Sequence, residues 1–143
     1  MREWLNETFI KEAFSDEELK RIPFVTVNPD KNPDFDTDPG NATKDRVFLL
    51  SITEANEYFS SDYSRNCKAT DYAISKGAIM ATADNNLLGT GWWLRTPGAT
   101  RLAATRVTAG GEMPAENSVR AGISRISKPC LGVRPAIWVD LEF

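Results

Sequence analysis

The sequence predicts an α+β fold in which helices come first and a small, mostly antiparallel sheet with long loops follows. Helix-like patterns dominate the first half of the chain, whereas from residue 85 onward short β-like runs are separated by Gly and Pro. Helices that precede strands, instead of alternating with them, favour α+β over a parallel α/β sheet. With 143 residues, the chain is long enough for one core and too short for two, so we expect a single domain over residues 1–143.

The N-terminal elements are marked by apolar spacing and by capping signals. Apolar side chains at helical spacing predict an amphipathic helix over residues 2–14. Ser15, with Glu18 three residues later, forms a capping box that predicts a second short helix. The β-branched and aromatic run at residues 24–27 then predicts a strand.

The middle of the chain contains a long polar loop and two further helix signals. Residues 28–45 are dense in Pro, Asp, Asn and Gly, which predicts a long loop, either ordered or disordered. The apolar run at residues 47–51 fits a buried strand. Thr53 and Thr70 are each placed to cap a short following helix.

The C-terminal part predicts three strands, over residues 91–96, 103–108 and 133–141. Gly110-Gly111 predicts a turn between the second and the third of them. These strands would form the small antiparallel sheet of the α+β fold.

Composition excludes several classes of function. The chain has no histidine, which removes Ser-His-Asp, Cys-His and HExxH chemistry. Its net charge of -3 argues against nucleic acid as a partner, because phosphate binding needs clustered Lys and Arg. No apolar run approaches the roughly 20 residues of a membrane helix, so we expect no membrane insertion.

The two cysteines, Cys67 and Cys130, are far apart in sequence and fit neither a CxxC metal site nor a redox pair. We expect two partly buried free thiols, with a disulfide or a reactive site as the alternative.

Four separated motifs support a resemblance that spans nearly the whole chain. They are WLN in the first helix, DRVFLLS from residue 45, WWLRTPG from residue 92 and GVRPAIW from residue 132. This order resembles a family of bacterial proteins of unknown function in which a WLN helix, DxVFLLS, WWLRSPG and GVRPALW recur. Members of that family carry additional strands before the WLN helix, so the resemblance implies that this chain is a trimmed domain.

The resemblance implies a C-type-lectin-like fold of the kind found in formylglycine-generating enzymes and in the variable proteins of diversity-generating retroelements. In such folds a stiff frame holds long, tolerant loops. The resemblance thereby places the binding surface of this chain on loops and not in its core.

Five side chains of the two C-terminal motifs are expected to form the frame. Each tryptophan can bury on the order of 150–250 Å² of surface. An arginine beside it can stack its guanidinium on the ring or donate two hydrogen bonds to a carboxylate. We favour this structural role over direct ligand contact for Trp92, Trp93, Arg95, Arg134 and Trp138.

Residues 99–131, between the frame motifs, are poor in aromatic side chains and rich in Ala, Thr, Ser, Arg and Gly. Such residues are poor core material and suit a surface that varies without disturbing the fold, although ordinary solvent-facing loops have the same composition. If its arginines converge, an anionic surface glycan or an acidic protein is the expected partner. The candidate ligand-binding residues are Thr100, Arg101, Thr105, Arg106, Thr108, Arg120, Ser124 and Arg125.

The hypothesis that follows is a non-enzymatic ligand- or receptor-binding module with a variable surface, diversified by a retroelement. Adenine mutagenesis of AAC codons yields most residue types of this segment, whereas Glu112, Met113, Glu116 and Lys128 would have to be fixed positions. We expect extracellular or cell-surface display if the domain belongs to a longer chain.

Two alternatives stay open. The first is an enzyme or degenerate enzyme of the formylglycine-generating type, whose relatives use a pair of cysteines near the C-terminal end. This chain has Cys130 there, but the stretch around Cys67 does not match that motif. The second is a structural accessory domain of a surface protein. Apart from the candidate metal ion described next, we expect no cofactor.

One metal site is a candidate. Alternating carboxylates at Asp34, Asp36 and Asp38 resemble the start of a Ca²⁺ loop, with Asp45 as the closing ligand. Against this, Pro39 stands where such a loop needs Gly. The alternative is a solvated acidic loop.

Overall fold

The computed structural model describes residues 1–83, 86–100, 102–113 and 130–141, and for residue 83 and residues 86–88 the backbone alone is considered. Its helices are short and lie N-terminal to most of the strands. They are α1 (Arg2–Trp4), a π-helical turn (Leu5–Phe9), α2 (Ile10–Ala13), α3 (Asp16–Leu19), α4 (Ile52–Tyr58), α5 (Asp62–Arg65) and α6 (Asp71–Ser75).

The strands form small antiparallel pairs. They are β1 (Val25–Val27), β2 (Thr43–Asp45), β3 (Val47–Phe48), β4 (Ala81–Ala83), β5 (Asn86–Gly89), β6 (Trp92–Pro97), β7 (Ala104–Val107) and β8 (Ala136–Ile137). Across the described ranges, β1 pairs with β2, β3 with β8, β4 with β5 and β6 with β7. This mixture of helices and small antiparallel sheets is that of an α+β fold.

The predicted first helix is found over residues 2–13, with the π-helical turn in its middle. Leu5 and Ile10 are the buried residues of its apolar face. Its polar Asn6 bonds to the backbone beside β3. The Asn6 Oδ1 atom accepts from the Arg46 and Val47 amides at 2.8 and 3.1 Å, and its Nδ2 donates to the Val47 carbonyl at 2.8 Å.

Most capping signals predict the helix starts correctly. The Ser15–Glu18 capping box starts α3, and Thr70 caps α6. The assignment of Thr53 as a cap is wrong, because Ser51 has the extended conformation of an N-cap and exchanges hydrogen bonds with Glu54 at the start of α4.

The predicted loop over residues 28–45 is wrong at its end, where Thr43–Asp45 forms β2. Its register opposite β1 pairs Val25 with Asp45, and Asp45 is buried. Backbone pairing with a neighbour that is remote in sequence has overridden a polar local sequence. The strands predicted over residues 47–51 and 133–141 are correspondingly shorter in the structure, at Val47–Phe48 and Ala136–Ile137.

Two hydrophobic clusters meet at β6, because successive side chains of a strand point to opposite faces. Trp92 and Leu94 belong to the first cluster, and Trp93 belongs to the second. The first cluster also contains Val27, Phe48, Leu50, Ala55 and Val107, and the second contains Leu5, Ile10, Val47 and Leu49. The WWL sequence thus contributes to both clusters.

Candidate functional site

One backbone carbonyl joins the two C-terminal motifs to helix α5. The carbonyl of Arg65 accepts a hydrogen bond from the Trp92 indole Nε1 and another from Arg134 Nη1, each at 3.1 Å. The Arg134 guanidinium also lies 4.7 Å from the Phe59 ring centroid and 5.0 Å from that of Trp92. Trp92 is only 1% exposed, so this contact lies at the core.

Arg95 connects β6 to helix α4. Its guanidinium binds the Glu54 carboxylate through both terminal nitrogens, with Nη2 2.8 Å from Oε1. The same group donates to the carbonyl of Leu49 at 2.9 Å and to that of Asn28 at 3.2 Å. The planar guanidinium fixes the direction of its hydrogen bonds as well as the position of its charge. The ammonium group of lysine would fix only the position of the charge.

Trp138 does not lie in the core with Trp92 and Trp93, contrary to the expectation for the frame. It is 53% exposed and makes an edge-to-face contact with Tyr58, with 6.5 Å between ring centroids. The reason is that β8 ends at Ile137, so the next residue has no strand partner to bring it to the core.

The chain enters residues 114–129 through a tight turn held against α5. Gly111 has a φ of +93°, and a Cβ at this position would overlap the backbone carbonyl of Asp62. Its carbonyl accepts from Arg65 Nε at 2.8 Å, and its amide donates to the Thr108 carbonyl at 3.0 Å. These contacts involve the backbone of the turn and not its side chains.

The return of the chain is held against β6 in the same way. Gly132 donates its amide to the Gly91 carbonyl at 2.8 Å and accepts from the Trp93 amide at 3.2 Å. A Cβ at Gly91 would come within 2.9 Å of the Val107 carbonyl and within 2.8 Å of the Leu131 side chain, so the residue before β6 lies close to the end of β7 and to the returning chain. The backbone groups of Gly111 and Gly132 are therefore bonded at both ends of the intervening segment, to the Arg65 side chain at the first end and to Gly91 and Trp93 at the second.

A cleft of about 500 Å³, which we call the polar cleft, lies beside this entry turn. Its deepest polar groups bond within the protein. Asn32, 2% exposed, donates to the Pro97 carbonyl at 2.7 Å, and the Thr105 hydroxyl donates to the Thr96 carbonyl at 2.8 Å. The cleft is lined by Asn32, Pro33, Asp34, Ile52, Asn56, Asp62, Arg65, Thr105, Arg106, Glu112 and Met113.

The exposed charges of the polar cleft are mainly carboxylates. Asp34, Asp62 and Glu112 are exposed and come from three different parts of the chain. Arg65 is almost completely buried and uses its guanidinium to bind Asp62 and the carbonyls of Gly111 and Phe59. Its positive charge is thus already compensated inside the protein.

Of the predicted ligand-binding residues, Thr105 and Arg106 line the polar cleft. Their side chains leave β7 on opposite faces, because Arg106 pairs with Trp93 in the β6–β7 register. Thr108 supports the entry turn, where its hydroxyl accepts from the Glu112 amide at 3.1 Å.

The other candidate ligand-binding residues are not at the cleft. Thr100 is exposed and does not belong to its lining. The remaining four lie outside the described residues, namely Arg101, Arg120, Ser124 and Arg125.

Several residues of the polar cleft could not be identified from local sequence. Asn32, Asn56, Asp62 and Arg65 come from a loop and two helices that only the tertiary fold brings to β7. The available signal was the Ser61–Ser64 capping box, which predicts the short helix ending at Arg65.

In the part of the chain that the structure describes, the carboxylates of the candidate calcium loop do not converge. Asp36 pairs with Lys31 at 2.6 Å, and Asp45, expected as the closing ligand, is buried against Arg2 at 2.9 Å. No group of three His, Cys, Asp or Glu side chains converges there, so the structure does not bring together Asp34, Asp36 and Asp38.

Both cysteines are free thiols. The thiol of Cys67 donates to the Thr90 carbonyl at 3.6 Å. Burial raises the pKa of Cys67, against a smaller lowering effect of the nearby Arg134 charge. A partly buried thiol with a raised pKa is a poor nucleophile at neutral pH.

Comparison with known proteins gives the family. Over residues 1–141 the sequence matches the family described as Domain of unknown function (DUF6273). The chain belongs to this family. No curated protein and no solved structure matches the DUF6273 chain. Within its described ranges, no helix is long and apolar enough to cross a membrane.

Proposed function

We propose that this DUF6273 domain is a non-enzymatic binding module that presents residues 99–131 as a contact surface on a C-type-lectin-like frame. The observation that carries the proposal is the way the chain enters and leaves residues 114–129. The Gly111 carbonyl is bonded by the Arg65 side chain, and Gly132 is bonded by the backbone of Gly91 and Trp93, so both ends are attached to the frame through the glycine backbone. Side chains between these two anchors can change without removing the contacts that hold them.

The frame behind the anchors supports the same function. Arg134 and Trp92 both donate to the carbonyl of Arg65, which connects the residues after Gly132, β6 and α5. A binding surface needs such a rigid support, because ordering a mobile surface on binding costs conformational entropy. The polar cleft next to the entry turn offers the concave surface at which a ligand group can be held.

Glu112 and Met113, two residues that adenine mutagenesis could not produce, have structural roles here. The carboxylate of Glu112 accepts a hydrogen bond from the Thr108 hydroxyl at 3.3 Å, and Met113 packs against the first hydrophobic cluster. These roles give a physical reason for the two positions to stay constant in a diversified segment. A reverse transcriptase and an imperfect repeat of the segment near the gene would support diversification, and their absence from a complete locus would remove it.

The proposal is tested by scrambling residues 114–129 while Met113 and Cys130 are kept. We expect the melting temperature to fall by no more than about 3 °C, because the anchors remain. The natural and the scrambled domain are then compared on an array of surface glycans and surface proteins. Binding by the natural domain that the equally folded scrambled domain loses supports the function, whereas unfolding of the scrambled domain contradicts it.

A further inference from the structure

We infer that a second cavity, away from the polar cleft, binds a small neutral molecule with an apolar body. This cavity, which we call the helix pocket, has a volume of about 220 Å³. It is lined by the first helix, by strands β1, β2 and β3 with the loop ends beside them, and by Arg95 of β6. The helix pocket shares no lining residue with the polar cleft or with residues 99–131, so the inference goes beyond the proposed function and is independent of it.

The apolar lining of the helix pocket is made of core side chains. Val27 and Phe48 belong to the first hydrophobic cluster, and Leu5, Val47 and Leu49 belong to the second. All five are buried, so the pocket reaches the interior from which both clusters are built. Apolar side chains that face an empty space lack the dispersion contacts that a ligand would supply. A ligand that removes its own apolar surface from water here gains free energy in addition.

The charged side chains that line the helix pocket already have partners inside the protein. Arg2 Nε lies 2.9 Å from the buried Asp45 carboxylate, and Arg95 is bound to Glu54 through both terminal nitrogens. Asp30 accepts from two threonine hydroxyls at 2.8 Å each. The lining thus contains two positive and two negative side chains. A charged ligand would bring a charge without a counterion next to apolar side chains, whereas a neutral ligand would not.

The volume of the helix pocket limits the size of the ligand. At the packing density of protein interiors, 220 Å³ holds roughly ten non-hydrogen atoms. A cavity of about 150 Å³ is already large enough for benzene, so a ring with a short substituent fits. An oligosaccharide or a peptide of several residues exceeds this volume. A single small molecule is therefore the ligand that agrees with the size, the apolar lining and the balanced charge.

The test is an NMR titration of the whole chain with three probes of nearly the same shape. Acetophenone is the neutral probe, benzoate the anion and benzamidinium the cation. We expect acetophenone to shift the amide signals of Leu5, Val27 and Val47 with a Kd in the millimolar range or tighter. The two ions should bind weaker by about tenfold or more. Intermolecular NOEs from the acetophenone ring to the methyl groups of the same three residues locate the probe.

A pair of variants on β1 tests the location independently. V27F enlarges a side chain that lines the helix pocket, and we expect it to weaken acetophenone binding by about tenfold or more. T26F is the matched control, because it adds the same ring to the same strand at an exposed position outside the lining. Its affinity for acetophenone should stay within about twofold of that of the natural chain.

The outcomes decide the inference without touching the proposed function. Selective binding of acetophenone that V27F weakens and T26F does not supports the helix pocket. Equal affinity for the three probes, or no shift of the pocket signals by any of them, overturns it. If V27F does not fold, the NOEs of the natural chain decide, since their absence at Leu5, Val27 and Val47 also overturns the inference. The proposed binding function is tested separately, by the scrambled segment.

Discussion

The guanidinium of Arg134 lies over the ring of Trp92, 5.0 Å from its centroid, and both side chains donate to one carbonyl, that of Arg65. The GVRP motif, the WWLR motif and helix α5 therefore meet at a single acceptor. This contact explains physically why an arginine and a tryptophan 42 residues apart in sequence belong to one structural unit.

The substitution Arg134→Lys tests this unit. Lysine keeps the charge but loses the planar group that stacks on Trp92 and Phe59, so we expect a loss of about 1–2 kcal/mol in the free energy of unfolding. Urea unfolding followed by tryptophan fluorescence measures it. Arg134→Met should cost at least as much, because it removes the hydrogen bond to Arg65 as well. Full stability of both variants would show that the contact contributes nothing.

The substitution Gly111→Ala tests the entry turn. A Cβ there would overlap the Asp62 carbonyl, and alanine disfavours a φ of +93°, so we expect a loss of about 3 kcal/mol or more. Gly110→Ala is the matched control, because its nearest neighbour, the Thr108 hydroxyl, would be 3.8 Å away. The free energy of unfolding of the Gly110→Ala variant should stay within about 0.5 kcal/mol of that of the natural chain. Thermal unfolding of the two proteins side by side distinguishes them, and equal losses would contradict the close approach.

The substitution Asp30→Asn gives a pH-dependent prediction. Burial raises the pKa of Asp30, but hydrogen bonds from Thr53, Thr96 and Ser51 together outweigh it, so the net pKa is lowered. A carboxyl whose pKa is lower in the folded state stabilises the fold above its unfolded pKa, and that contribution is lost as pH falls through the folded value.

We expect Asp30→Asn to cost about 1 kcal/mol at pH 7, since the carboxylate is partly exposed, and less below about pH 4. Urea unfolding at both pH values measures the two differences. E12Q, at an exposed helix position, is the control and should show no such change. A cost for Asp30→Asn that is equal at both pH values would mean that its ionised form is not the stabilising one.

The thiol of Cys67 is expected to react slowly with alkylating reagents. Because burial raises its pKa, the thiolate should reach half of its maximum only above the ordinary value of 9.0. The variant C130S leaves Cys67 as the one thiol, and its rate with iodoacetamide is measured from pH 7 to pH 10. The same protein in concentrated urea should titrate at the ordinary value. Fast reaction of the folded variant below pH 8 would contradict the raised pKa and support the enzyme alternative.

The sequence predicts those parts of the fold that depend on neighbouring residues. Ser15 with Glu18, and Thr70 alone, mark helix starts through bonds that span three residues. Strand β2 escapes prediction because the sequence Thr43-Lys44-Asp45 has no strand pattern of its own and pairs with β1 only in the tertiary structure. The exposure of Trp138 could not be predicted either. The large size of a tryptophan side chain predicts burial, but it does not indicate where the preceding strand ends.

In the candidate site too, local sequence predicts some of the residues, and others are brought there only by the tertiary structure. Thr105 and Arg106 stood out in the sequence by composition, and they line the polar cleft. The carboxylates of Asp34 and Asp62 did not stand out as partners, because 27 positions separate them and only folding brings both to β7. The charge of the cleft could therefore not be derived before its geometry.

The side chain of Asn6 completes the hydrogen bonding of a strand that lies beneath the first helix. Its amide offers one acceptor to the Arg46 and Val47 amides and one donor to the Val47 carbonyl, as the peptide group of an adjoining strand would. Val47 is 1% exposed, so water cannot take over these bonds. The asparagine of the WLN motif thus lets a helix cover the start of a strand without leaving buried peptide groups unsatisfied, which a hydrophobic side chain at this position could not do.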